Sequence, residues 1–254
     1  MNKINQLRNI LNQQNCDGYL IPKNDEYFGE YVPKNKDRLK FISGFTGSAG
    51  LALILKNKSY LFVDGRYTLQ AKAEINKNFE ICEIPKIKPH YILKNLNKKI
   101  TLGFDPKLFT SSTLKNIISN SLIKPKPINN NLIDIIWKNK KKINNNKFYI
   151  LEEKYHGENY LNKISKVCKF LKLKDIHYLL TTATENISWL LNIRGSDALY
   201  SPLTNGKILF NKNGKIIFFT NIKKITPQIK KAFKKKVIFI KEELFVNYLR
   251  KIKN

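Results

Sequence analysis

Two short apolar runs joined by four polar residues constrain the fold of this chain more than any other feature. Residues 51–55 are LALIL and residues 60–63 are YLFV, with KNKS between them. Runs of this length around a polar turn predict two antiparallel strands, that is, a β-hairpin. The sheet is therefore expected to be mixed rather than purely parallel.

The segments around the hairpin alternate between helix and strand patterns. Ile4, Leu7 and Leu11 recur at helical spacing and precede a predicted strand over residues 17–21. Further along, helices are predicted over residues 67–75 and 111–122, and strands over residues 79–84 and 100–104. Such alternation predicts an α/β layer structure.

A polar stretch divides the chain into two parts. Residues 124–131, KPKPINNN, are predicted to break the pattern, and a short apolar helix over 132–137 follows. Residues 138–147 are then almost all lysine and asparagine, a composition that cannot bury enough apolar surface to order itself. We predict a linker there, with the domain boundary near residue 142.

The second half repeats the order of the first. Helices are predicted over 161–171, near Trp189, over 227–233 and from residue 242, and strands over 176–181, 207–210, 215–220 and 237–240. Both halves thus run helix, strand, helix, hairpin, helix, strand. The sequence predicts two related α/β domains.

The chain is strongly basic, with 47 lysines and arginines against 19 acidic residues and a net charge of +28. Such a charge is typical of proteins that bind nucleic acids or anionic membranes. Arginine, which grips phosphates bidentately, supplies only five of the basic residues, and the lysines are spread over the whole sequence. We expect no specific nucleic-acid partner, and a polyanion-binding module stays the alternative function.

The N-terminus, the apolar runs and the cysteines argue against secreted, membrane-spanning, disulfide-rich and thiolate-metal proteins. The polar N-terminus lacks the apolar core of a secretion signal, and no apolar run approaches the roughly 18 residues that span a bilayer. Cys16, Cys82 and Cys168 are far apart and odd in number, so neither a disulfide framework nor a thiolate metal site is predicted. We expect no membrane contact and a cytoplasmic location.

The glycines Gly44, Gly47 and Gly50 invite comparison with phosphate-binding loops. Their spacing matches neither the dinucleotide fingerprint nor the P-loop, and the loop opens into a predicted strand rather than a helix. A tight turn with positive φ is the favoured interpretation. Ser48 lacks the strand-to-helix setting of a nucleophile elbow and is not expected to be catalytic.

The segment DGRY, residues 64–67, lies between the hairpin and the next predicted helix. Asp64 is expected to cap the amides of that helix. For Arg66 two interpretations stay open. Its guanidinium either binds a carboxylate or peptide carbonyl, or it forms an internal salt bridge with Asp64 or Glu74.

In the second half, residues 189–197 read WLLNIRGSD. As a purely architectural segment, it would bury Trp189, Leu190 and Leu191 and pair Asp197 with Arg194 or with a backbone amide. Alternatively, the turn over 194–197 orients the second domain or lines a substrate groove.

Several blocks resemble Xaa-Pro aminopeptidases of the creatinase and prolidase class, which are M24 metallopeptidases. They are FISGFTGSAG, VDGRY and WLLNIRGSD, together with EYVP, LGFDP and NLIDIIW, and they span nearly the whole chain. The resemblance implies two creatinase N-terminal-like domains, residues 1–142 and 143–254. Each would be a mixed sheet flanked by helices with a ribonuclease H-like topology.

The resemblance also implies which residues act. In the family, the arginine of the DGRY block contributes to the peptide-binding cleft, so Arg66 is predicted to bind substrate. Family members hold two manganese or other divalent ions with two aspartates, a histidine and two glutamates of a C-terminal catalytic domain. None of those motifs occurs here, and His90, His156 and His177 are isolated from one another. We expect this chain to lack that domain, and therefore catalytic residues, metal ligands and a cofactor.

The sequence thus predicts the non-catalytic N-terminal portion of an Xaa-Pro aminopeptidase-like protein, a substrate-access and assembly scaffold that is inactive alone. Its expected partners are a peptide substrate and either a separately encoded catalytic domain or a second copy in a homodimer. Besides the polyanion-binding module, a degraded gene product without activity stays open as an alternative.

Overall fold

The computed structural model describes residues 2–119, 122–140 and 145–252. The chain divides into two compact units, Met1–Lys142 and Ile143–Asn254, which we call unit 1 and unit 2. The boundary predicted near residue 142 falls within residues 141–144, which lie outside the described residues.

Unit 1 alternates helices and short strands. Its helices are α1 (Lys3–Gln13), α2 (Arg38–Ser43), α3 (Thr68–Glu74), α4 (Pro89–Asn95), α5 (Ser111–Ile117) and α6 (Leu132–Ile136). Its strands are β1 (Gly18–Pro22), β2 (Leu51–Leu55), β3 (Ser59–Asp64), β4 (Glu80–Ile84), β5 (Ile100–Phe104) and β6 (Ile123–Pro127).

The six strands of unit 1 form one mixed sheet in the order β4-β3-β2-β1-β5-β6. The predicted hairpin is confirmed, because β2 pairs antiparallel with β3, and β1 pairs antiparallel with β2. The remaining pairs are parallel. Each face of the sheet carries its own apolar core, since successive side chains of a strand point to opposite faces.

The predicted break after residue 123 is wrong, because Ile123–Pro127 forms β6 beside β5. The Ile128 N–H donates to the Phe104 carbonyl oxygen at 2.8 Å, so Ile128 faces β5. Backbone groups alternate in direction along a strand, and Pro125 and Pro127 therefore face outward, where no N–H is needed.

Three helices of unit 1 also differ from expectation. The short helices α2 and α4 were not predicted, since six or seven residues carry too little periodicity to detect. The helix predicted over 111–122 ends at Ile117, in a segment rich in serine and asparagine, which are poor helix formers. Residues 120 and 121 of that prediction lie outside the described residues.

A buried arginine connects three segments of unit 1. Arg38 of α2 donates to both carboxylate oxygens of Asp134 in α6, at 3.0 and 2.8 Å, and to Glu26 Oε1 at 2.8 Å. Lys36 and Lys140 also pair with these two acids. Burial opposes the ionisation of Glu26, but the charges of Lys36 and Arg38 lower its pKa to about 2.

Unit 2 begins with two short elements, β7 (Tyr149–Ile150) and α7 (Glu153–His156). It continues with α8 (Tyr160–Leu173), β8 (Tyr178–Thr181), α9 (Thr184–Leu191), β9 (Ile193–Arg194), β10 (Lys207–Asn211), β11 (Ile216–Thr220), α10 (Pro227–Phe233), β12 (Val237–Lys241) and α11 (Phe245–Lys251). Four strands form a sheet in the order β12-β11-β10-β8, and β7 pairs with β9.

The two sheets share one plan. In unit 2, β10 pairs antiparallel with β8 and β11, and β11 pairs parallel with β12. The strands β1 to β4 of unit 1 have the same order and directions. The expectation of two α/β domains, each with a mixed sheet flanked by helices, is therefore confirmed.

Candidate functional site

The glycine-rich loop of unit 1 is a structural turn. Gly44 follows α2 with φ of +89°, and a Cβ atom there would lie 2.8 Å from the Glu74 carbonyl oxygen. A Cβ atom on Gly47 would lie 2.2 Å from the ring of Phe45. Positive φ and close approach both require glycine.

Hydrogen bonds hold this loop against α3. Thr46 donates to Glu74 from its backbone N–H at 2.7 Å and from its hydroxyl at 2.5 Å. Gln70 donates to the same carboxylate and to the Thr46 hydroxyl. Burial favours a higher pKa for Glu74, but these hydrogen bonds outweigh it and lower the pKa. Glu74 is thus committed to the loop and is not the salt-bridge partner of Arg66.

Tyr67 brings the glycine loop and the DGRY segment together. Its hydroxyl lies 2.6 Å from the Ser48 hydroxyl, and its ring meets the Phe45 ring edge-on at 5.8 Å. Two blocks that are separate in the sequence therefore form one corner of unit 1, which we call the loop corner.

Arg66 lies at the loop corner, in the turn that follows β3. Its guanidinium donates to Asp64 from Nε and Nη2, at 3.0 and 2.9 Å. The backbone N–H of Arg66 also donates to Asp64. Asp64 therefore caps the turn over residues 65–67, and the expectation that it caps the following helix is wrong, because the residue that precedes α3 is Tyr67 and makes no side-chain cap. Hydrogen bonding by Arg66 lowers the pKa of Asp64, and the same pair raises the pKa of Arg66. The arginine side chain nevertheless stays 74% exposed.

The WLLNIRGSD segment of unit 2 spans the end of α9 and β9. Leu190 and Leu191 are buried as expected, but the expectation for Trp189 is wrong, because this residue is 53% exposed. Lys163 of α8 lies over the indole ring at 4.3 Å and donates to the Trp189 carbonyl oxygen and to Asn192. The tryptophan ring covers this buried ammonium group instead of filling the core.

Of the two roles expected for Asp197, pairing with Arg194 or with a backbone amide, the structure shows the second. Arg194 donates to the Ser188 carbonyl oxygen at 2.6 Å, at the C-terminal end of α9. Asp197 forms a buried ion pair with Lys224 and accepts a hydrogen bond from the Asn205 backbone N–H. Both side chains therefore hold the architecture of unit 2. An open pocket of ≈ 480 Å³ beside them is lined by residues that include Gly195 and Ser196.

Two findings concern metals and membranes in the part of the chain that the structure describes. No group of three or more histidine, cysteine, aspartate or glutamate residues is arranged to hold a metal ion. No described helix combines the length and the apolar character that a membrane crossing requires.

The sequence blocks, the repeated sheet plan and the loop corner define one class of protein. Residues 3–132 and 139–254 each match a family model described as Creatinase/Prolidase N-terminal domain. The chain belongs to this family.

Its similarity to Xaa-Pro aminopeptidases is also confirmed. The chain is 32% identical over 209 residues to a probable Xaa-Pro aminopeptidase P from Laccaria bicolor. The aligned region covers 79% of this chain and 33% of the relative. It is 28% identical over 264 residues to Xaa-Pro aminopeptidase 1 from Dictyostelium discoideum, covering 98% and 42%. The chain therefore spans about a third to two fifths of these relatives.

A solved structure agrees. The X-prolyl aminopeptidase from Caenorhabditis elegans, described as a cytosolic enzyme with a di-nuclear active site, superposes with a TM-score of 0.90 at 25% identity. The superposition covers 98% of this chain and 44% of that enzyme.

Proposed function

We propose that this chain acts as the non-catalytic N-terminal portion of an Xaa-Pro aminopeptidase-like protein, a scaffold that controls peptide access and assembles with a catalytic domain. The observation that carries the proposal is the arrangement of the Arg66 side chain. Asp64 binds its guanidinium through two hydrogen bonds, and the side chain is exposed at the loop corner. A guanidinium in this state keeps donors for a peptide carbonyl or a carboxylate. The match of both units to N-terminal domains supports the scaffold role.

The loop corner suits a binding role because it is held in place before a ligand arrives. Asp64 fixes the guanidinium at two points, and Tyr67 is held by Ser48 and Phe45. A side chain that is already ordered loses little conformational entropy on binding, so the contact is stronger for the same hydrogen bonds. Arg66 is therefore proposed to bind peptide, not to take part in bond cleavage.

Cleavage of the peptide bond is assigned to the catalytic domain. On this proposal the catalytic domain supplies the two divalent metal ions, and this chain supplies neither ligands nor a cofactor. The partners on this proposal are a peptide substrate and either a separately encoded catalytic domain or a second copy of this chain in a homodimer. The complex acts in the cytoplasm.

The test adds the purified chain to the catalytic portion of the Dictyostelium relative in the presence of Mn²⁺. Release of the first residue from an Xaa-Pro peptide is then measured. We expect no release by the chain alone and restored release by the mixture. Arg66→Ala should raise KM roughly tenfold or more, about 1.4 kcal/mol of binding free energy per factor of ten, and change kcat much less.

Lys166→Ala is the matched control. Lys166 of unit 2 is 70% exposed and pairs with a neighbouring acid, Glu158, at 2.7 Å, so its replacement removes one exposed, paired positive charge outside the unit that contains the loop corner. Equal KM values for the Arg66 and Lys166 variants would refute the binding role. Hydrolysis by the chain alone at the rate of the mixture would refute the non-catalytic role.

A further inference from the structure

A long stretch of unit 2 contains many lysines and no acidic residue. Residues 198–241 hold 11 lysines and neither aspartate nor glutamate. Five of these lysines lie on α10 or in the turn between α10 and β12, and we call them the lysine cluster: Lys230, Lys231, Lys234, Lys235 and Lys236. The first four are exposed, and Lys236 is half-buried.

The packing of α10 directs the cluster toward water. Ile229 and Phe233 lie on one face of the helix, four positions apart, and each is only 1% exposed in the core of unit 2. Lys231 is midway between them in the sequence and therefore lies on the opposite face. The outer surface of α10 and of the turn after it is thus formed largely by lysines.

Acidic side chains of the protein do not neutralise the cluster. Across the described ranges 2–119, 122–140 and 145–252, its lysines form no ion pair, whereas elsewhere in unit 2 Lys166 pairs with Glu158 and Lys207 with Glu242. Positive charges that are held close together repel one another, and a bound anion relieves this repulsion. The surface is therefore suited to an anionic ligand.

The turn between β10 and β11 adds a further lysine. The Ile216 N–H donates to the Lys236 carbonyl oxygen at 2.9 Å, so the residues that precede β11 and β12 are neighbours. Lys215 is exposed at this point. The Lys236 ammonium group lies 3.7 Å from the position that a Cβ atom on Gly214 would take. The positive surface thus extends from α10 across the first residues of β11 and β12.

Unit 1 shows that a lysine-rich composition alone does not produce this cluster. In unit 1, α3 connects the parallel strands β3 and β4, as α10 connects β11 and β12 in unit 2. Residues 68–79 contain two lysines and one glutamate, a net charge of +1, whereas residues 227–236 contain five lysines and no acid, a net charge of +5. The outer residues Lys72 and Ala73 of α3 are also exposed. The position is open to solvent in both units, but only unit 2 concentrates positive charge there.

The side chains of the surface indicate which kind of anion it fits. Residues 227–236 include no exposed large apolar side chain. A protein interface requires an apolar centre, and lasting attachment to a membrane requires a second signal besides charge. Contact with the phosphates of a nucleic acid requires only positive charge. Lysine lacks the planar fork with which arginine reads guanine, so the contact carries no base recognition.

We propose that the lysine cluster, together with Lys215, binds the phosphate backbone of a nucleic acid independently of its sequence. The site lies within unit 2 and does not depend on the role of Arg66. It gives the positive charge of this chain a defined location of action.

The test measures the affinity of the full chain for a fluorescent oligouridine by anisotropy at several salt concentrations. The logarithm of the affinity should fall linearly with the logarithm of the salt concentration. Replacing Lys231, Lys234 and Lys235 together with glutamine should weaken binding at least tenfold at low salt. It should also reduce the magnitude of the slope by about 2, since each contacted phosphate of a single strand contributes about 0.7.

The matched control replaces Lys94, Lys98 and Lys99 of unit 1 with glutamine. These lysines are also exposed, so the net charge falls by the same amount while the lysine cluster stays intact. We expect the control to keep most of the affinity and the slope of the wild type. Equal losses in the two triple variants would overturn the proposal, because binding would then follow net charge rather than the cluster.

A variant that keeps the charge separates binding from folding. Replacing Lys231, Lys234 and Lys235 with arginine should preserve the affinity, and its loss in this variant would overturn the proposal. Oligothymidine and an oligonucleotide of mixed sequence should bind as tightly as oligouridine, and a tenfold preference among them would overturn independence from sequence.

Two other anions complete the test. Binding to vesicles that contain phosphatidylserine, without binding to any oligonucleotide, would overturn the proposal in favour of a membrane surface. Binding to polyglutamate alone would overturn it in favour of an acidic protein.

Discussion

Arg38 and Asp134, which are 96 positions apart in the sequence, form a two-point ion pair with N···O distances of 3.0 and 2.8 Å. The arginine side chain is only 2% exposed and that of Asp134 is 32% exposed, so the guanidinium depends on its protein partners rather than on water. The same guanidinium binds Glu26. The position of α6 on unit 1 therefore depends on a charge contact as well as on apolar packing.

Replacing Arg38 with leucine should lower the free energy of unfolding of unit 1 by about 2 kcal/mol, because Glu26 and Asp134 lose their hydrogen bonds to the guanidinium and keep only Lys36 and Lys140 as charged partners. Each unit contains one of the two tryptophans. In a Trp189→Phe background, Trp137 fluorescence during urea unfolding would therefore report on unit 1 alone.

Lys86→Leu provides the comparison for that measurement. It removes an exposed ion pair with Glu83, which should change stability by less than about 1 kcal/mol. The double replacement Arg38→Leu with Asp134→Leu should recover part of the loss. An Arg38→Leu protein as stable as the Lys86→Leu protein would show that the buried pair does not stabilise unit 1.

The stability of unit 1 should fall in acid through Glu26. The pKa of Glu26 is about 2 in the folded protein, against an ordinary value of 4.5. A lowered pKa stabilises the folded state at pH values above 4.5, and this contribution is lost as the pH falls toward 2. The difference in unfolding free energy between wild type and Glu26→Gln should therefore shrink over that range. A difference that is constant from pH 6 to pH 2 would contradict the prediction.

Gly44→Ala should destabilise unit 1 by about 1–2 kcal/mol, because alanine at φ of +89° is strained and its Cβ atom would meet the Glu74 carbonyl oxygen. Gly29→Ala is a suitable control, since no atom lies within 4 Å of the added Cβ and its φ is not in the left-handed region. Urea unfolding of both variants gives the comparison, and equal midpoints would disprove the strain.

Local patterns predicted most of the fold. The hairpin of β2 and β3, the helix α8 and the repeated order of elements all follow from periodicity within a dozen residues. The strand β6 was missed because Pro125 and Pro127 normally argue against a strand. Their outward direction depends on β5, which the local sequence does not specify.

The candidate site was predictable only where its partners are close in the sequence. Asp64 and Arg66 are two positions apart, so their pairing could be foreseen. The contact between Tyr67 and Ser48 was not predicted, because it depends on how the glycine loop folds back. The exposure of Trp189 depends on Lys163, which lies on a different helix.

The paired prolines of β6 have a consequence for self-association. An imino acid has no hydrogen to donate, and both Pro125 and Pro127 face away from β5. Fibril-like stacking of one molecule on the next is therefore blocked at this side of unit 1. Substituting both with valine would restore the missing N–H donors and supply residues of high β-propensity. The edge strand β6 could then pair with the same strand of other molecules and nucleate ordered aggregation.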